Sequence, residues 1–295
     1  MYYKINDLGK TLLSLTFLLV SSFTLYAQDD LLDELDKESN AGTQFNLPAF
    51  KTLKIGNLQS TKIADKGDLY LIVSHRFGTF KNGIDDFFGL DQANTKIQLA
   101  YSFWEGIQLS FSRDSFEKTY SGTAKVRLTK QSNQFPLNIV GYASADINSE
   151  IKKANYPSLK LGDRMTYTTQ LLVSRRISKK LSLEIAPSFV RQNLQDLNFT
   201  GARTHNQILM GLGGRMKVSK RMSINLECAY NFSKHENSKY NNPLTLGIDI
   251  ETGGHVFQLL FSNARGRNDG AFLTKAQGDW STGDISFGFN VVRVF

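Results

Sequence analysis

The feature that most constrains this chain is an alternation of apolar and polar residues that begins near residue 67 and continues to the last residue. A period of two places successive side chains on opposite faces of a β-strand. The alternation predicts about twelve strands, near residues 68–77, 94–103, 107–112, 120–129, 137–147, 165–177, 181–191, 208–218, 222–232, 244–250, 255–261 and 285–295. Each predicted strand therefore has one apolar face and one polar face.

The placement of charge indicates which environment surrounds these strands, because soluble sandwiches alternate as well. On the apolar face, charged residues lie only at strand ends, where long side chains reach headgroups and water; they are Arg113, Lys130, Arg175, Arg191 and Arg293. A cation in mid-strand on a lipid-facing surface costs roughly 2–4 kcal/mol. The polar face, in contrast, carries charge in mid-strand. An apolar outer face and a wet interior predict a transmembrane β-barrel.

The connections between the predicted strands support this interpretation. Tight turns such as Ser178–Lys180 and Ser219–Arg221 alternate with longer links such as Asn148–Gly162 and Asn263–Gly283. One link, Asp114–Lys118, is short where this arrangement expects a long one. We therefore expect an all-β fold, an antiparallel up-and-down barrel of about twelve strands with short periplasmic turns and longer extracellular loops. The mean hydropathy of −0.28 excludes a bundle of transmembrane helices.

The first residues have the composition of a cleaved export signal. Lys4 and Lys10 precede the apolar run Thr11–Leu25, and the small residue Ala27 precedes a polar one. The alternative is a single membrane anchor, but the run is shorter than the roughly 20 residues that a spanning helix needs. We expect a signal peptide over residues 1–27, cleaved after Ala27, and a mature protein located in the outer membrane of a Gram-negative cell.

Residues 28–66 separate this signal from the barrel, which we predict over residues 67–295. The stretch Asp29–Glu38 holds six acids and one lysine, and its leucines are at helical spacing. It could form a short amphipathic helix that docks on a partner, or a solvated, mobile extension. We interpret residues 28–66 as a periplasmic acidic segment followed by a linker.

Two strands carry special features. The last strand ends on an aromatic residue, which resembles the signal that barrels present to the insertion machinery; its residues are Phe287, Phe289 and Phe295. The alternative is an ordinary amphipathic edge strand. Pro187 lies in mid-strand without an N–H group to donate, so it predicts a local bulge or an error in the predicted register.

A group of residues in and after the first predicted hairpin resembles a known family. They are His75-Arg76-Phe77-Gly78, Gly83, the run Phe87–Asp91, Tyr101, Arg113, Lys118, Tyr120, Lys125 and Gln131. The chain resembles a family of membrane-bound β-barrel proteins found mainly in Bacteroidota, a domain of unknown function. The likeness covers roughly residues 44–295. It implies an outer-membrane barrel and supplies no catalytic residues.

The densest cluster of candidate site residues lies in the first loop and comprises His75, Arg76, Phe87, Phe88 and Asp91. Its acids could bind a hard cation or pair with Arg76. The spacing matches no calcium-binding loop, however, so we predict no metal site. We expect the loop to fold back on the barrel rim, with Phe87 and Phe88 as its hydrophobic anchor.

A second set of candidates faces the predicted lumen. These residues are Arg76, Lys96, Lys125, Arg127, Arg164, Arg215, Lys217, Glu184, Glu227 and Asp249. An excess of cations would favour anions in a water-filled pore. The alternative is a charge-paired interior with no continuous path. Eight-stranded barrels are filled by side chains and 16–18-stranded porins conduct, so about twelve strands leaves both alternatives open.

We therefore predict an outer-membrane barrel and carry three functional hypotheses. The first is a narrow pore for small, anionic solutes. The second is a non-conducting scaffold that binds a partner through its loops or N-terminal segment. The third, a lipid-modifying enzyme, lacks support, because the histidines are scattered and no serine elbow accompanies them.

We expect no catalytic residues, no cofactor and no nucleic-acid partner. The expected partners are outer-membrane lipid, the barrel-insertion machinery and a small solute. The single Cys228 cannot form an internal disulfide or a multi-thiolate zinc site. The sequence does not indicate the oligomeric state.

Overall fold

A computed structural model describes residues 48–194, 205–235 and 238–295. The predicted cleavage site and the acidic stretch 29–38 lie outside these residues, so both stay predictions. None of the helices in the described ranges has the length and apolarity that crossing a membrane requires.

Twelve antiparallel strands form a closed barrel in which each strand pairs with its neighbours in the chain and β1 pairs with β12. The strands are β1 (Leu69–Thr79), β2 (Ala93–Trp104), β3 (Ile107–Asp114), β4 (Tyr120–Thr129), β5 (Asn138–Ile147), β6 (Met165–Arg176), β7 (Leu181–Gln192), β8 (Asn206–Lys217), β9 (Met222–Asn231), β10 (Leu244–Thr252), β11 (His255–Ser262) and β12 (Ser286–Val294). The predicted up-and-down barrel of about twelve strands is confirmed.

The two ends of the barrel differ in their connections. The turn end carries β1's first residue, the chain's last residue and the shorter connections, of which the β10–β11 turn is only two residues long. The loop end carries the longer connections, including residues 148–164 and 263–285. The predicted exception is also present, since β3 and β4 are joined at the loop end by residues 115–119 alone.

Burial alternates along every strand, as the period of two requires. In β2, Ile97 and Leu99 are about half exposed on the outer surface, whereas Lys96 and Gln98 are buried inside. Two cations of the outer face lie against aromatic rings at strand ends: Arg113 stacks 4.8 Å from the Tyr120 ring centroid, and Arg293 stacks 4.6 Å from that of Phe295. Such a stack keeps the aliphatic stem on the apolar surface while the charge remains near the interface.

Part of the predicted linker is folded inside the barrel. Residues 48–64, here called the N-terminal hairpin, make a tight turn. In this turn Ile55 N donates to Leu58 O at 2.9 Å, and the backbones of Lys54 and Gln59 form an antiparallel β-bridge. Nearly all of its side chains are buried, and its exposed flanks, Lys51 and residues 65–67, lie at the turn end. The hairpin therefore enters the lumen from the turn end.

A second insert enters from the loop end. The β11–β12 connection contains a short helix, α1 (Asp269–Thr274), whose six residues are all buried. Asn268 caps it by accepting a hydrogen bond from Ala271 N. Phe272 and Leu273 of α1 pack in one apolar cluster with Leu58 of the hairpin and with Val190 and Leu209 of the wall. Hairpin and helix together fill the lumen from its two ends.

The expected bulge at Pro187 is absent. The β6–β7 register is the same on both sides of the proline, and only the pairs between Gln170↔Ser188 and Val173↔Ile185 drop out. The β7–β8 register is continuous through Pro187. Because Ser188 Oγ donates to Ala186 O at 2.8 Å, a side chain satisfies a carbonyl next to the gap. The proline is therefore accommodated by missing ladder bonds, without a shift in register.

Candidate functional site

The lumen is the candidate site, and its wall holds the N-terminal hairpin both by apolar packing and by charged groups that bind backbone atoms. Glu227, in the middle of β9, accepts hydrogen bonds from three successive backbone N–H groups at the hairpin tip. The distances are 3.0 Å to Gly56 N, 2.7 Å to Asn57 N and 2.9 Å to Leu58 N. Consecutive N–H groups that converge on one anion form a nest. Glu227 therefore fixes the tip of the hairpin.

Lys125 of β4 makes the opposite kind of contact. Its Nζ donates to three hairpin carbonyl oxygens, at 2.7 Å from Leu53 O, 2.8 Å from Ser60 O and 3.2 Å from Lys62 O. An ammonium group has three N–H donors, and these three bonds use all of them. Lys125 thus ties the two arms of the hairpin together from the wall.

Arg76 of β1 holds the side chain of the hairpin tip. Its Nη2 donates to Asn57 Oδ1 at 2.8 Å, while Nη1 donates to the carbonyls of His75 and Phe289. The guanidinium lies over Gly288 of β12, where an added Cβ would come within 2.3 Å of Arg76 Cδ. Only a glycine at position 288 leaves room for this arginine.

Further wall groups complete the grip on the hairpin. Glu184 accepts from Thr61 N at 2.9 Å, and Asn290 and Gln258 donate to Gly56 O and Ile55 O at 2.9 and 2.8 Å. Asp249 acts on the hairpin through two other residues. It accepts hydrogen bonds from the side-chain amides of Asn225 and Gln258, and both of these amides also donate to Ile55 O of the hairpin.

Asp269 of α1 joins the two inserts. One carboxylate oxygen binds Lys54 Nζ at 3.2 Å and Gln59 Nε2 at 2.8 Å, both from the hairpin, and the other accepts from the Tyr142 hydroxyl. Burial opposes ionisation of Asp269, which lies outside the spanning strands. The nearby ammonium groups of Lys54 and Lys96 outweigh that effect, so the pKa of this carboxyl falls to about 2. Asp269 is therefore charged at neutral pH.

The remaining predicted lumen residues lie nearer to the ends. Lys96 donates to Arg267 O at 3.0 Å in the loop-end insert. At the turn end, Arg127 pairs with Glu105, Arg215 pairs with Glu251 at 2.6 Å, and Lys217 is half-buried at the end of β8. Arg164 precedes β6 at the loop end, in a short 3-10 turn. The predicted lumen residues therefore lie in three groups, one around the hairpin, one at the loop end and one at the turn end, rather than in one ring.

The deep wall carries no excess of cations. Among the buried inward-facing residues of the described strands, three are cationic and five are acidic: Arg76, Lys96 and Lys125 against Asp114, Asp146, Glu184, Glu227 and Asp249. The cation-lined interior that the sequence suggested is therefore not present at this depth. The difference arises because four of the predicted cations, Arg127, Arg164, Arg215 and Lys217, lie near the ends of the barrel. The predicted set also lacked Asp114, which lies at the end of β3 and binds Arg267.

Those residues of the first-loop motif that lie in or against the barrel wall have a structural role. Gly89, at a φ of +81°, approaches Gly78 so closely that an added Cβ would lie 2.4 Å from Gly78 C, and Gly78 N donates to Gly89 O at 2.7 Å. Arg76 faces the lumen, whereas His75 faces outward and meets the Thr95 hydroxyl at 2.9 Å.

The expected hydrophobic anchor of this loop is only partly present. Phe88 packs against Phe80, which in turn stacks on Phe261 of the outer wall. Phe87 is 60% exposed, and Asp91 is exposed too. Phe80 rather than Phe87 connects the loop to the rim, since Phe80 contacts both Phe88 and Phe261.

The aromatic residues of the last strand face outward, and the described residues contain no metal-binding cluster. Phe287 and Phe289 stack on Phe77 and His75 of β1, and Phe295 is exposed at the turn end. Their role as an insertion signal stays a prediction. No group of three or more His, Cys, Asp or Glu side chains in the described ranges could hold a metal ion.

Comparison with known proteins places this barrel in a family. The family model described as membrane bound beta barrel domain (DUF5777) matches residues 50–295. The chain belongs to the DUF5777 family. The match begins at Phe50, so the DUF5777 domain includes the hairpin as well as the strands. Comparison with curated proteins finds none that matches this sequence.

Several solved barrels are similar to this DUF5777 member in fold. The NanC porin and a KdgM porin each share 9% identity with it, cover 77% of this chain and 98% and 99% of their own, and have TM-scores of 0.47. Outer membrane phospholipase A from Escherichia coli shares 13% identity, covers 81% of this chain and 95% of its own, and has a TM-score of 0.44. The expected absence of enzymatic activity stays a prediction.

Sequence reasoning missed the hairpin and α1, although both leave signals. Leu53, Ile55 and Leu58 flank Gly56-Asn57, and a Gly-Asn pair between apolar residues is typical of a β-hairpin. The inward register also contains large apolar residues, among them Val190, Leu209 and Leu260, which a wet lumen does not require. Apolar residues on the lumen face indicate that something packs against them.

Proposed function

We propose that this protein is an outer-membrane channel for small hydrophilic solutes that its own N-terminal hairpin closes. The observation that carries the proposal is the grip of Glu227, Lys125 and Arg76 on the backbone and tip of the hairpin. These contacts are polar on both sides. When these contacts open, their charged groups regain hydration, which offsets part of the cost of exposing the apolar side chains that pack beside them.

One side of the wall already has the character of a hydrated path. Among the described residues, the buried inward hydroxyl groups of Ser112 and Thr168 have no hydrogen-bond partner, and those of Ser121 and Ser144 lie beside the Asp146 carboxylate and the Tyr142 hydroxyl, respectively. They belong to the consecutive strands β3 to β6 and so line one sector of the lumen. Water is the ordinary partner of buried polar groups that no protein group satisfies. Because Gly270 of α1 lies against Asp146 and Thr168, this sector supports a polar route when α1 moves together with the hairpin, to which Asp269 ties it.

The balance of charge supports passage of hydrophilic solutes without a preference for anions in the deep lumen. With five acids and three cations on the buried wall of the described strands, an opened lumen would not repel cations. This composition argues against the anion-selective form of the pore hypothesis. The closed state itself matches the scaffold hypothesis, so conductance must separate the two.

Planar-bilayer recording of the refolded full chain tests the proposal. We expect the wild-type protein to be closed with rare openings. Hydrogen bonds to charged groups contribute about 1.5–3 kcal/mol each. Loss of even one such contribution in Glu227→Ala raises the open population about 10- to 100-fold, since about 1.4 kcal/mol corresponds to a tenfold change. Glu105→Ala, which removes an exposed acid of the turn end, is the matched control and should leave the open fraction unchanged.

A reversible lock supplies the opposite test. Asn57 Nδ2 donates to Thr245 Oγ1 at 3.1 Å, so cysteines at these two positions should bridge the hairpin to β10. In the Cys228→Ser background, oxidised Asn57→Cys/Thr245→Cys should show no openings, and reduction should restore them. Steady conductance of the wild type would contradict closure by the hairpin. Silence of every variant, reduced or oxidised, would contradict the channel proposal and leave the non-conducting barrel as the remaining hypothesis.

A further inference from the structure

The loop end holds a cavity of about 490 Å³ above the filled lumen. Its floor is the end of α1, at Leu273, Thr274 and Lys275, and its sides come from the β5–β6 and β9–β10 connections and from the outer ends of β6 to β9. Cavities of about 300–1,000 Å³ are the size of small-molecule sites. The cavity is present while the hairpin is docked, and its floor residue Leu273 packs in the same apolar cluster as Leu58 of the hairpin.

Six side-chain amides belong to the described lining, and three of them are held in place by one another before any ligand binds. Asn231 Nδ2 donates to Gln207 Oε1 at 2.6 Å, Gln207 Nε2 to Gln192 Oε1 at 3.1 Å, and Gln192 Nε2 to Thr274 Oγ1 at 2.8 Å. Each amide NH₂ carries two donors, and this chain of bonds uses one from each. These three amides line the cavity, and each keeps a second N–H group that this chain of bonds does not use and that a ligand hydroxyl or carboxylate oxygen can accept.

Charged side chains of the lining add a positive potential. Among the described lining residues, Arg164, Lys234, Lys239 and Lys275 outnumber Glu117 and Glu150. Glu117 is already paired with Lys275 at 2.6 Å. Arg164 donates through Nη1 to Ile151 O at 3.3 Å, while its buried Nε has no hydrogen-bond partner in the part of the chain that the structure describes. A guanidinium with unused donors beside a cavity favours an anionic group.

Two tyrosines complete the lining. Tyr156 and Tyr240 both border the cavity, and Tyr240 carries the Lys239 ammonium 5.2 Å from its ring centroid. An aromatic ring with a polar tip offers an apolar face to the C–H groups of a sugar ring and a hydroxyl to its oxygens. Amides for hydroxyl groups, rings for a C–H face and cations for a carboxylate together match one class of ligand.

We propose that this cavity is a binding site for an anionic carbohydrate, with the Gln192–Gln207–Asn231 amides on its hydroxyl groups and Arg164 and Lys234 on its acid group. The ligand would enter from the loop end and rest on α1. This site exists in the closed barrel, so it is separate from conduction through the lumen.

Isothermal titration of the full-length refolded protein with glucuronate, glucose and citrate tests the site. Glucuronate should bind saturably, and glucose should bind at least tenfold more weakly because it lacks the carboxylate. Citrate carries charge without a sugar ring and should also bind at least tenfold more weakly than glucuronate. Equal affinity for citrate would overturn the carbohydrate assignment, and the absence of saturable binding by glucuronate would overturn the site.

Variants assign the roles within the same measurement. Arg164→Gln should weaken glucuronate about tenfold and leave glucose nearly unchanged, whereas Gln207→Ala should weaken both sugars. Lys179→Gln, an exposed cation of the β6–β7 turn at the opposite end, is the control and should change neither. The ratio of the two affinities within one variant is insensitive to the fraction of folded protein. A ratio that Arg164→Gln leaves unchanged would overturn the role of Arg164.

Discussion

Single glycines of β8 determine how the hairpin fits against the wall. An added Cβ at Gly213, which faces the lumen, would lie 2.2 Å from Ile55 Cδ1 of the hairpin. Its neighbour Gly214 faces the lipid, where a Cβ would meet Leu183 Cδ2 at 3.3 Å. The two positions differ by one step along the strand and by which side of the wall they face. They form a matched pair.

Gly213→Val should therefore displace the hairpin, while Gly214→Val should leave it docked. The valine competes for the volume that Ile55 occupies, and overpacking of this kind costs about 1–3 kcal/mol. We expect an increase in open-channel events of about tenfold or more for Gly213→Val in bilayer recordings. Equal behaviour of the two variants would show that Ile55 adapts to the new side chain without loosening the hairpin.

The strands were predictable because each one repeats its pattern over many residues. The interval 120–129 expected for β4 is the one observed, and β9 differs from its predicted end by one residue. The inserts were not predictable in the same way. The hairpin has a turn of two residues, and α1 has six residues, which is too short to be stable without the surrounding wall. Both elements depend on contacts such as Leu58 with Phe272 that join residues far apart in sequence.

At the level of elements, the junction at Asp269 should be the point at which α1 is most easily released. Removing one partner of a buried ion pair leaves the other charge unpaired and costs about 3–5 kcal/mol; Lys54 and Asp269 are both nearly inaccessible. In Asp269→Ala we expect trypsin to cut the loop 263–285 at Arg267 at least tenfold faster than in the wild type. Asp85→Ala, at an exposed acid of another loop, should leave the rate unchanged. An unaltered rate in Asp269→Ala would mean that the apolar cluster alone holds α1.

For the molecule as a whole, the location of the hairpin is the property that separates a filled barrel from an empty one. Ser60 is fully buried between hairpin and wall, whereas Lys66, a few residues further on, is exposed at the turn end. The spacing in sequence is small, but the two positions lie on different sides of the barrel mouth. Chemical accessibility should therefore differ sharply between them.

In the Cys228→Ser background, Ser60→Cys should react with a water-soluble maleimide at least 100-fold more slowly than Lys66→Cys. The reaction requires the hairpin to open, so the slow rate reports the fraction of time that it spends undocked. Combining Ser60→Cys with Gly213→Val should accelerate labelling, which connects this measurement to the conductance of the same variant. Equal labelling of Ser60→Cys and Lys66→Cys would place the hairpin outside the lumen.

The entry of the hairpin through one mouth has a mechanical consequence. Both of its arms pass through the turn end, so it can slide out as a loop without threading a chain end through the wall and without breaking any strand ladder. A pull on the chain ahead of residue 48 reaches the buried side chains of Ala49 and Phe50 first, then the Lys51–Glu251 ion pair, and only later the bonds of Lys125 and Glu227. Such a load separates the contacts one after another, as in unzipping, rather than shearing them all at once. A modest force from the turn-end side would thus suffice to withdraw a hairpin that thermal motion leaves in place.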